Sequence, residues 1–433
     1  MFKVHNANVL EWAASYDGPK YHALLCDPPY EIGMMGKGWD GSGISFRPET
    51  WAALAEHLYP GAFGMAFASS RTYHRMAVAI EDAGFILHPV IFAWSFASGF
   101  PKAARIDLQI DRMLGVESVV AGERKHAPKF NAKAQGYREK DNGFNSRERT
   151  TFEVIEAGSE LGREFAGHRY GQQAMRPALE PVIVFQRPYA GRAVENIAQN
   201  GAGALWIDGG RIERSGGMGG WPCNLILEHT PDCDDSACAP ECPVHRIGLQ
   251  SGESKSVASK RGAVNIGTFG GTVGSSNDVR KDNDDSGTAA RFFQQVGWNL
   301  NVQERIDLAD PAIYVPKSST AERNAGLENA RNPHPTIKPL TLMRYLASLL
   351  LPPARYDRRL LVPFAGSGSE TIGGMLAGWD HVDGIELSDE YATVANRRIE
   401  YWIQRKHELQ TTDRPTTIKP KAEKQSKDQL EMF

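Results

Sequence analysis

Two acceptors and a ring stand together in the tetrad Asp27-Pro28-Pro29-Tyr30, directly after the apolar run Ala23 to Cys26. The paired prolines remove backbone donors and fix φ, which leaves the Pro28 carbonyl and the Asp27 carboxylate to face one cleft. Two acceptors suit an NH2 group, which has two hydrogens to give, and the Tyr30 face suits a planar base stacked on it. The same residues would also serve as a plain turn after a strand. A second grouping, Phe364-Ala365-Gly366-Ser367-Gly368, follows the apolar Leu360-Leu361-Val362. Its glycines allow close approach of backbone to ligand and tighten a strand-to-helix turn. The third glycine of the dinucleotide fingerprint would fall at position 371, which is threonine, so that fingerprint fails. Glu386, eighteen residues after Gly368, ends the next apolar segment. A carboxylate there can accept from both hydroxyls of a ribose. Together these residues point to a nucleoside-containing cofactor.

Three cysteines and two histidines fall within seventeen residues, as His229-x3-Cys233-x4-Cys238-x3-Cys242-x2-His245. Cys233, Cys238 and Cys242 with either histidine make a tetrahedral set for Zn2+. A closed four-ligand site would be structural and would staple a loop-rich segment with little core of its own. Reduced cysteines in a polar loop are the competing reading. Cys223 is a further candidate ligand, whereas Cys26 reads as a small core residue. Between Arg124 and Arg149 eight Lys/Arg stand against three Asp/Glu. That local excess offers Lys125, Lys129, Arg138 and Arg147 to phosphates.

The elements that must position these groups are legible in outline. The 433 residues are 41% hydrophobic and 23% charged, ordinary globular usage that excludes a fibrous or wholly disordered chain and suggests two or three domains. No run approaches about 18 apolar residues, so no spanning helix is expected. The first residues lack a basic segment followed by an apolar block, which predicts no secretory leader and five reduced cysteines. A net charge of −3 argues against a generally basic, adhesive protein but leaves room for a local basic groove. There is no fixed-period repeat.

Buried strands are expected at 61–70 and 87–96 besides the run before Asp27, with a helix at 71–83 stopped by Gly84, so residues 1–120 predict a parallel α/β block carrying the tetrad. Residues 121–175 read as a polar, basic insert. A strand in 176–190 returns to the sheet. Residues 191–330 hold the Cys/His cluster and a Gly/Ser-rich loop at 250–290, and read as a target-recognition region. Residues 331–407 form a second βα block for the cofactor, and 408–433 has the composition of a disordered tail. The expected fold class is α/β, a Rossmann-like sheet completed from both ends of the chain, with an irregular middle that zinc would staple.

The motifs together resemble the amino-methylating DNA methyltransferases of phage and prophage type that use S-adenosylmethionine, in the permuted order with DPPY before FxGxG. The resemblance also runs through Met35-Gly36-Lys37-Gly38-Trp39-Asp40, Ser98-Gly99-Phe100-Pro101-Lys102, Arg176-Pro177-Ala178-Leu179-Glu180-Pro181, Ile207-Asp208-Gly209-Gly210-Arg211-Ile212, Trp221-Pro222-Cys223-Asn224 and His334-Pro335-Thr336-Ile337-Lys338-Pro339. It covers roughly residues 1–402 apart from 121–171. It implies methyl transfer to an exocyclic amine of a base flipped out of double-stranded DNA. Asp27, Pro28, Pro29 and Tyr30 would form the amine site, and Phe364 to Gly368 with Glu386 the cofactor site. Thr336 and Lys338 would hold the methionine end or position the adjoining helix. A tetrad beginning with Asp leans to adenine N6, with cytosine N4 as the alternative. A second alternative is a zinc-containing DNA-binding protein whose cofactor site has decayed. Its support is Val362, which stands where the family has an aspartate near the methionine amino group. The resemblance further implies a cytoplasmic, nucleoid-associated protein of a bacterial or phage-infected cell, of the restriction-modification kind. Finally, Gln429-Leu430-Glu431-Met432-Phe433 resembles the short peptides that dock on the bacterial sliding clamp.

Overall fold

The structure is a computed structural model. It describes residues 1–33, 38–96, 102–125, 137–139, 151–175, 177–212, 220–229, 233, 238–240, 242–255, 286–296, 320–327 and 330–411. Ten strands form the main sheet: β1 (Phe2–Asn6), β2 (Tyr21–Cys26), β3 (Leu58–Phe67), β4 (Ile86–Leu87), β5 (Phe92–Ser95), β6 (Leu179–Gln186), β7 (Leu225–Glu228), β8 (Gln294–Val296), β9 (Arg359–Pro363) and β10 (His381–Glu386). Their order is β1-β10-β9-β2-β3-β6-β5-β7-β8, with β4 beside β6. Only β6 runs against the rest, pairing antiparallel with β3, β4 and β5. The expected α/β sheet built from both ends of the chain is present: β1 pairs with β10, and β2 pairs with β9.

Helices cover both faces, which is why β2 is buried at every residue and reads as a continuous apolar run. Side chains alternate along the strands. Ala23, Leu25, Leu360, Val362 and Val382 pack with Leu342, Ile372, Met375 and Ile399 from the helices Leu340–Leu349, Ser369–Ala377 and Asp389–Thr411. Leu24, Cys26, Leu361 and Ile385 pack with Trp12, Trp51, Leu54 and Ile80 from Val9–Ser15, Pro48–Ala55 and Tyr73–Asp82. Cys26 is the small core residue its sequence context suggested.

Three expectations change. The strand expected over 87–96 is split into β4 and β5, with Pro89 in the gap, because proline has no N–H for the ladder. Parts of the insert expected to be an irregular polar loop are regular. Val119–Lys125 pairs with Thr151–Glu156, which also takes Tyr137–Glu139, and Arg169–Gln173 pairs with Lys102–Arg105. The insert is tied to the preceding block: buried Asp111 accepts from the backbone N–H groups of Gly158 at 2.8 Å and Ser159 at 3.1 Å, and from the Ser159 hydroxyl at 2.6 Å. Likewise 191–330 is not wholly apart from the sheet, since it supplies β7 and β8.

Residues 256–285 of the Gly/Ser-rich loop and the clamp-like peptide Gln429, Leu430, Met432 and Phe433 lie outside the described residues. Among the described residues no helix is long and apolar enough to cross a membrane.

Candidate active site and candidate metal cluster

Chain connections leave β2 and β9 in opposite directions along the sheet: β2 leads on to β3, and β9 leads on to β10. Ligands of open α/β sheets bind in the crevice beyond the strand ends at such a switch point. Asp27 follows β2 and Phe364 follows β9. Residues 27–30 and residues 364–367, separated by more than three hundred positions, line one cavity of about 660 Å³, within the range of about 300–1,000 Å³ typical of small-molecule sites.

A charge cluster occupies the β2 side. The Lys338 ammonium lies 2.6 Å from Asp27 Oδ2 and 3.4 Å from Glu180 Oε2. It also donates to the Tyr30 hydroxyl at 3.0 Å, which in turn donates to Glu180 Oε2 at 3.1 Å. Burial alone would lower the Lys338 pKa, but Asp27 and Glu180 outweigh it and raise it, so the ammonium stays charged. Burial raises the Tyr30 phenol, reinforced by the same two carboxylates. The cluster thus sets two carboxylates against one ammonium.

The tetrad itself is clamped. Ser45 Oγ donates to the Pro29 carbonyl at 2.8 Å, and Thr72 Oγ1 donates to the Tyr30 carbonyl at 2.8 Å. Neither bond uses the Pro28 carbonyl. Asp40 Oδ1 accepts from Glu31 N–H at 2.9 Å, holding Glu31 at φ 55, a left-handed conformation uncommon outside glycine. Lys338, expected to hold the methionine end of a cofactor or to position the adjoining helix, lines the cavity and engages Asp27. Thr336 lines the same cavity.

On the β9 side, Phe364 has φ 61, Gly366 φ 50 and Gly368 φ 85. The left-handed turns bend the chain sharply from strand into the helix Ser369–Ala377. A Cβ added at Gly366 would lie 2.9 Å from His334 Nε2, so the loop requires glycine there for close approach as well as for φ. Burial lowers the His334 pKa to about 4 and keeps the ring neutral. Glu386 receives the Gly366 N–H at 2.9 Å and the Ser388 N–H at 2.8 Å. A carboxylate has about four lone-pair directions, so acceptor capacity remains for ligand hydroxyls. Burial raises the Glu386 pKa, and those N–H groups offset part of the rise.

Three residues with a place here were not singled out from sequence. Glu180 had appeared only as part of a strand lead-in. Arg398, fully buried, donates to the Ser367 carbonyl at 2.5 Å and the Ser367 hydroxyl at 3.1 Å, which pins the glycine loop from below. Glu370 lines the cavity in the first turn of Ser369–Ala377. Burial, then the negative charge of Asp27, raises its pKa well above the usual carboxylate range. Val362 is fully buried in the core and is not among the cavity-lining residues. No sequence pattern marked Arg398, because an arginine at a helical position ordinarily points to water.

The cysteine cluster assembles elsewhere. One ligand atom from each of His229, Cys233, Cys238 and Cys242 lies within 4.8 Å of every other. His229 Nδ1 is 3.3 Å from Cys238 Sγ and 3.4 Å from Cys242 Sγ. His245 sits on the helix Pro243–Ser251 and is not part of the group. Cys223 also stands apart, its thiol donating to the Leu225 carbonyl at 3.1 Å. Of the basic candidates, Lys125 ends the strand Val119–Lys125 and Arg138 lies in Tyr137–Glu139. Lys129 and Arg147 lie outside the described residues.

No protein-family profile and no curated protein matches the chain. Among solved structures, the M1.HpyAVI–SAM complex is 14% identical with a TM-score of 0.38, covering 92% of this chain and 99% of that one. The cytosine-N4-specific PvuII DNA methyltransferase is 11% identical with a TM-score of 0.39, covering 94% of this chain and 93% of that one. Similarity at this level is too low to carry function from one chain to the other.

Proposed function

We propose that this chain is a DNA methyltransferase that places a methyl group from S-adenosylmethionine on an exocyclic amine, adenine N6, of a base flipped out of the duplex. The observation that supports it best is the meeting of two unlike half-sites in one cavity: an anionic amine-accepting cluster after β2, and a glycine loop with an acidic partner after β9. The order of motifs along the chain, Asp27 tetrad first and glycine loop last, agrees with it, and the leading Asp favours adenine over cytosine.

The donor fits what lines the cavity. Gly366 and Gly368 allow backbone contact, Glu386 suits a ribose, and the Glu370 carboxyl suits the cationic end of the molecule. That assigns to Glu370 the place of the acid missing at Val362. When bound, S-adenosylmethionine supplies an activated methyl group on a sulfonium. The protein then has to align the amine with it.

An exocyclic amine is a poor nucleophile because its lone pair is conjugated into the ring. Asp27 and the Pro28 carbonyl accept its two hydrogens, which favours a more pyramidal nitrogen. The net negative charge of the Asp27–Lys338–Glu180 cluster stabilises the positive charge that grows on that nitrogen. Lys338, 2.6 Å from Asp27 Oδ2, holds that carboxylate oriented. With the new N–C bond made, the nitrogen sheds one proton, for which Asp27 is the acceptor in reach. Tyr30 stacks on the extruded base and offsets part of the few kcal/mol that unstacking costs.

The test is mass analysis of nucleosides from duplex DNA incubated with the protein and S-adenosylmethionine. N6-methyladenine is the expected product. N4-methylcytosine would keep the reaction and move the base, and unmodified DNA from folded, donor-binding protein would overturn the assignment.

A further inference from the structure

We propose that His229, Cys233, Cys238 and Cys242 bind one four-coordinate Zn2+ that fixes the sheet edge next to the cavity. The four ligand atoms converge, each within 4.8 Å of the others. Bond lengths of about 2.3 Å to sulfur and 2.0–2.1 Å to nitrogen put the S···N edge of a tetrahedral zinc site at roughly 3.5 Å. The observed edges from His229 Nδ1 are 3.3 and 3.4 Å. Three thiols and one imidazole select zinc over the hard cations Mg2+ and Ca2+, and a full set of four protein ligands leaves no open position, as in structural sites.

The surroundings favour the bound state. His229, Cys233 and Cys242 are buried. Cys242 occupies the N-cap position of the helix Pro243–Ser251, so a ligand there ties the helix start to the end of β7. The Ala239 N–H donates to Cys233 Sγ at 3.3 Å, which orients that sulfur from outside the set. The apolar cluster around the site is small, Leu227, Val244 and Ala290 besides two of the cysteines, so a crosslink between the end of β7 and the helix supplies order that packing does not.

The position has a consequence. β7 runs parallel to β5, in the same sense as β2 and β9, so His229 emerges at the same sheet edge as Asp27 and Phe364. Four strand spacings separate β2 from β7, on the order of 20 Å. A duplex that presents a flipped base to Asp27 and runs along the strand ends toward β7 would reach the stapled segment. This consequence rests on the function proposed above, whereas the metal site does not.

Binding requires neutral imidazole and thiolates, so up to three thiol protons leave as one Zn2+ enters. Full-length protein made in zinc-supplemented medium should contain about one zinc per chain, measured by elemental mass spectrometry. His245→Ala should retain it, and Cys238→Ser and His229→Ala should lose it. Because those two variants could misfold, Co2+ exchange into the unaltered chain gives a second readout, with intense thiolate-to-metal absorption expected. Metal-free protein whose melting temperature ignores added zinc would overturn the site. Zinc kept by His229→Ala and lost by His245→Ala would overturn the ligand set. Donor binding measured on the same samples separates either failure from failure of the methyltransferase reading.

Discussion

Lys338 is the residue on which the proposed amine site turns, since Asp27, Glu180 and the Tyr30 hydroxyl all converge on its ammonium. Breaking a buried ion pair by removing one partner costs about 3–5 kcal/mol, because the other charge is left uncompensated. Lys338→Met should therefore lower the unfolding free energy by about that amount in denaturant titration. It should also slow methyl transfer in single-turnover assays, because Asp27 loses the contact that orients it. An unchanged transfer rate would show that Lys338 does not govern Asp27. Glu370 gives a second test at this scale. Its folded pKa is raised by burial and by Asp27. The stability it lends is full below the ordinary carboxyl value and is lost as pH rises through the raised value. A bound cation favours the ionised form, so affinity for S-adenosylmethionine should rise with pH over that interval. Glu370→Gln should flatten both trends in calorimetry while affinity for methylthioadenosine, which lacks the charged end, stays level. Parallel pH curves for the two proteins would remove Glu370 from the donor site.

At the scale of elements, the glycine loop depends on how closely two helices approach beneath it. A Cβ on Gly373 would lie 2.4 Å from Met343 Cβ and 2.9 Å from the Arg344 nitrogen, so Leu340–Leu349 and Ser369–Ala377 nearly touch backbone to backbone. Gly373→Val should cost about 1–3 kcal/mol by overpacking, visible as a lower melting temperature and weaker donor binding together. An unchanged melting temperature would contradict that packing. The strand-glycine-helix unit was legible because apolar run, glycine turn and short helix follow one another in sequence. The break between β4 and β5 was not, since Phe85 to Phe96 is apolar enough to hide Pro89. The order within the insert was hidden for the opposite reason. Its charged residues read as surface, yet Gly158 and Ser159 within it donate to buried Asp111, more than forty positions earlier, which no local pattern reveals.

For the whole molecule, the informative feature is that β1 and β2, from the start of the chain, flank β9 and β10 from its end. Sequence alone suggested this because an α/β pattern stands at each end of the chain, with a polar middle between. The tetrad, the glycine turn and the acid at 386 were visible as candidate chemistry because each directly follows or ends an apolar run. Glu180 and Glu370 escaped notice because their significance arises only when the ends meet. The central claim is a division of labour across that junction, with Asp27 serving the amine and the loop at Gly366 serving the donor. Single-turnover methyl transfer at saturating S-adenosylmethionine, with donor affinity measured by calorimetry, compares the unaltered chain with Asp27→Ala most directly. The transfer rate should fall by at least about 100-fold, as for loss of a transition-state contact, with donor affinity within about threefold. Transfer at the original rate, or a loss of donor binding in proportion, would contradict it.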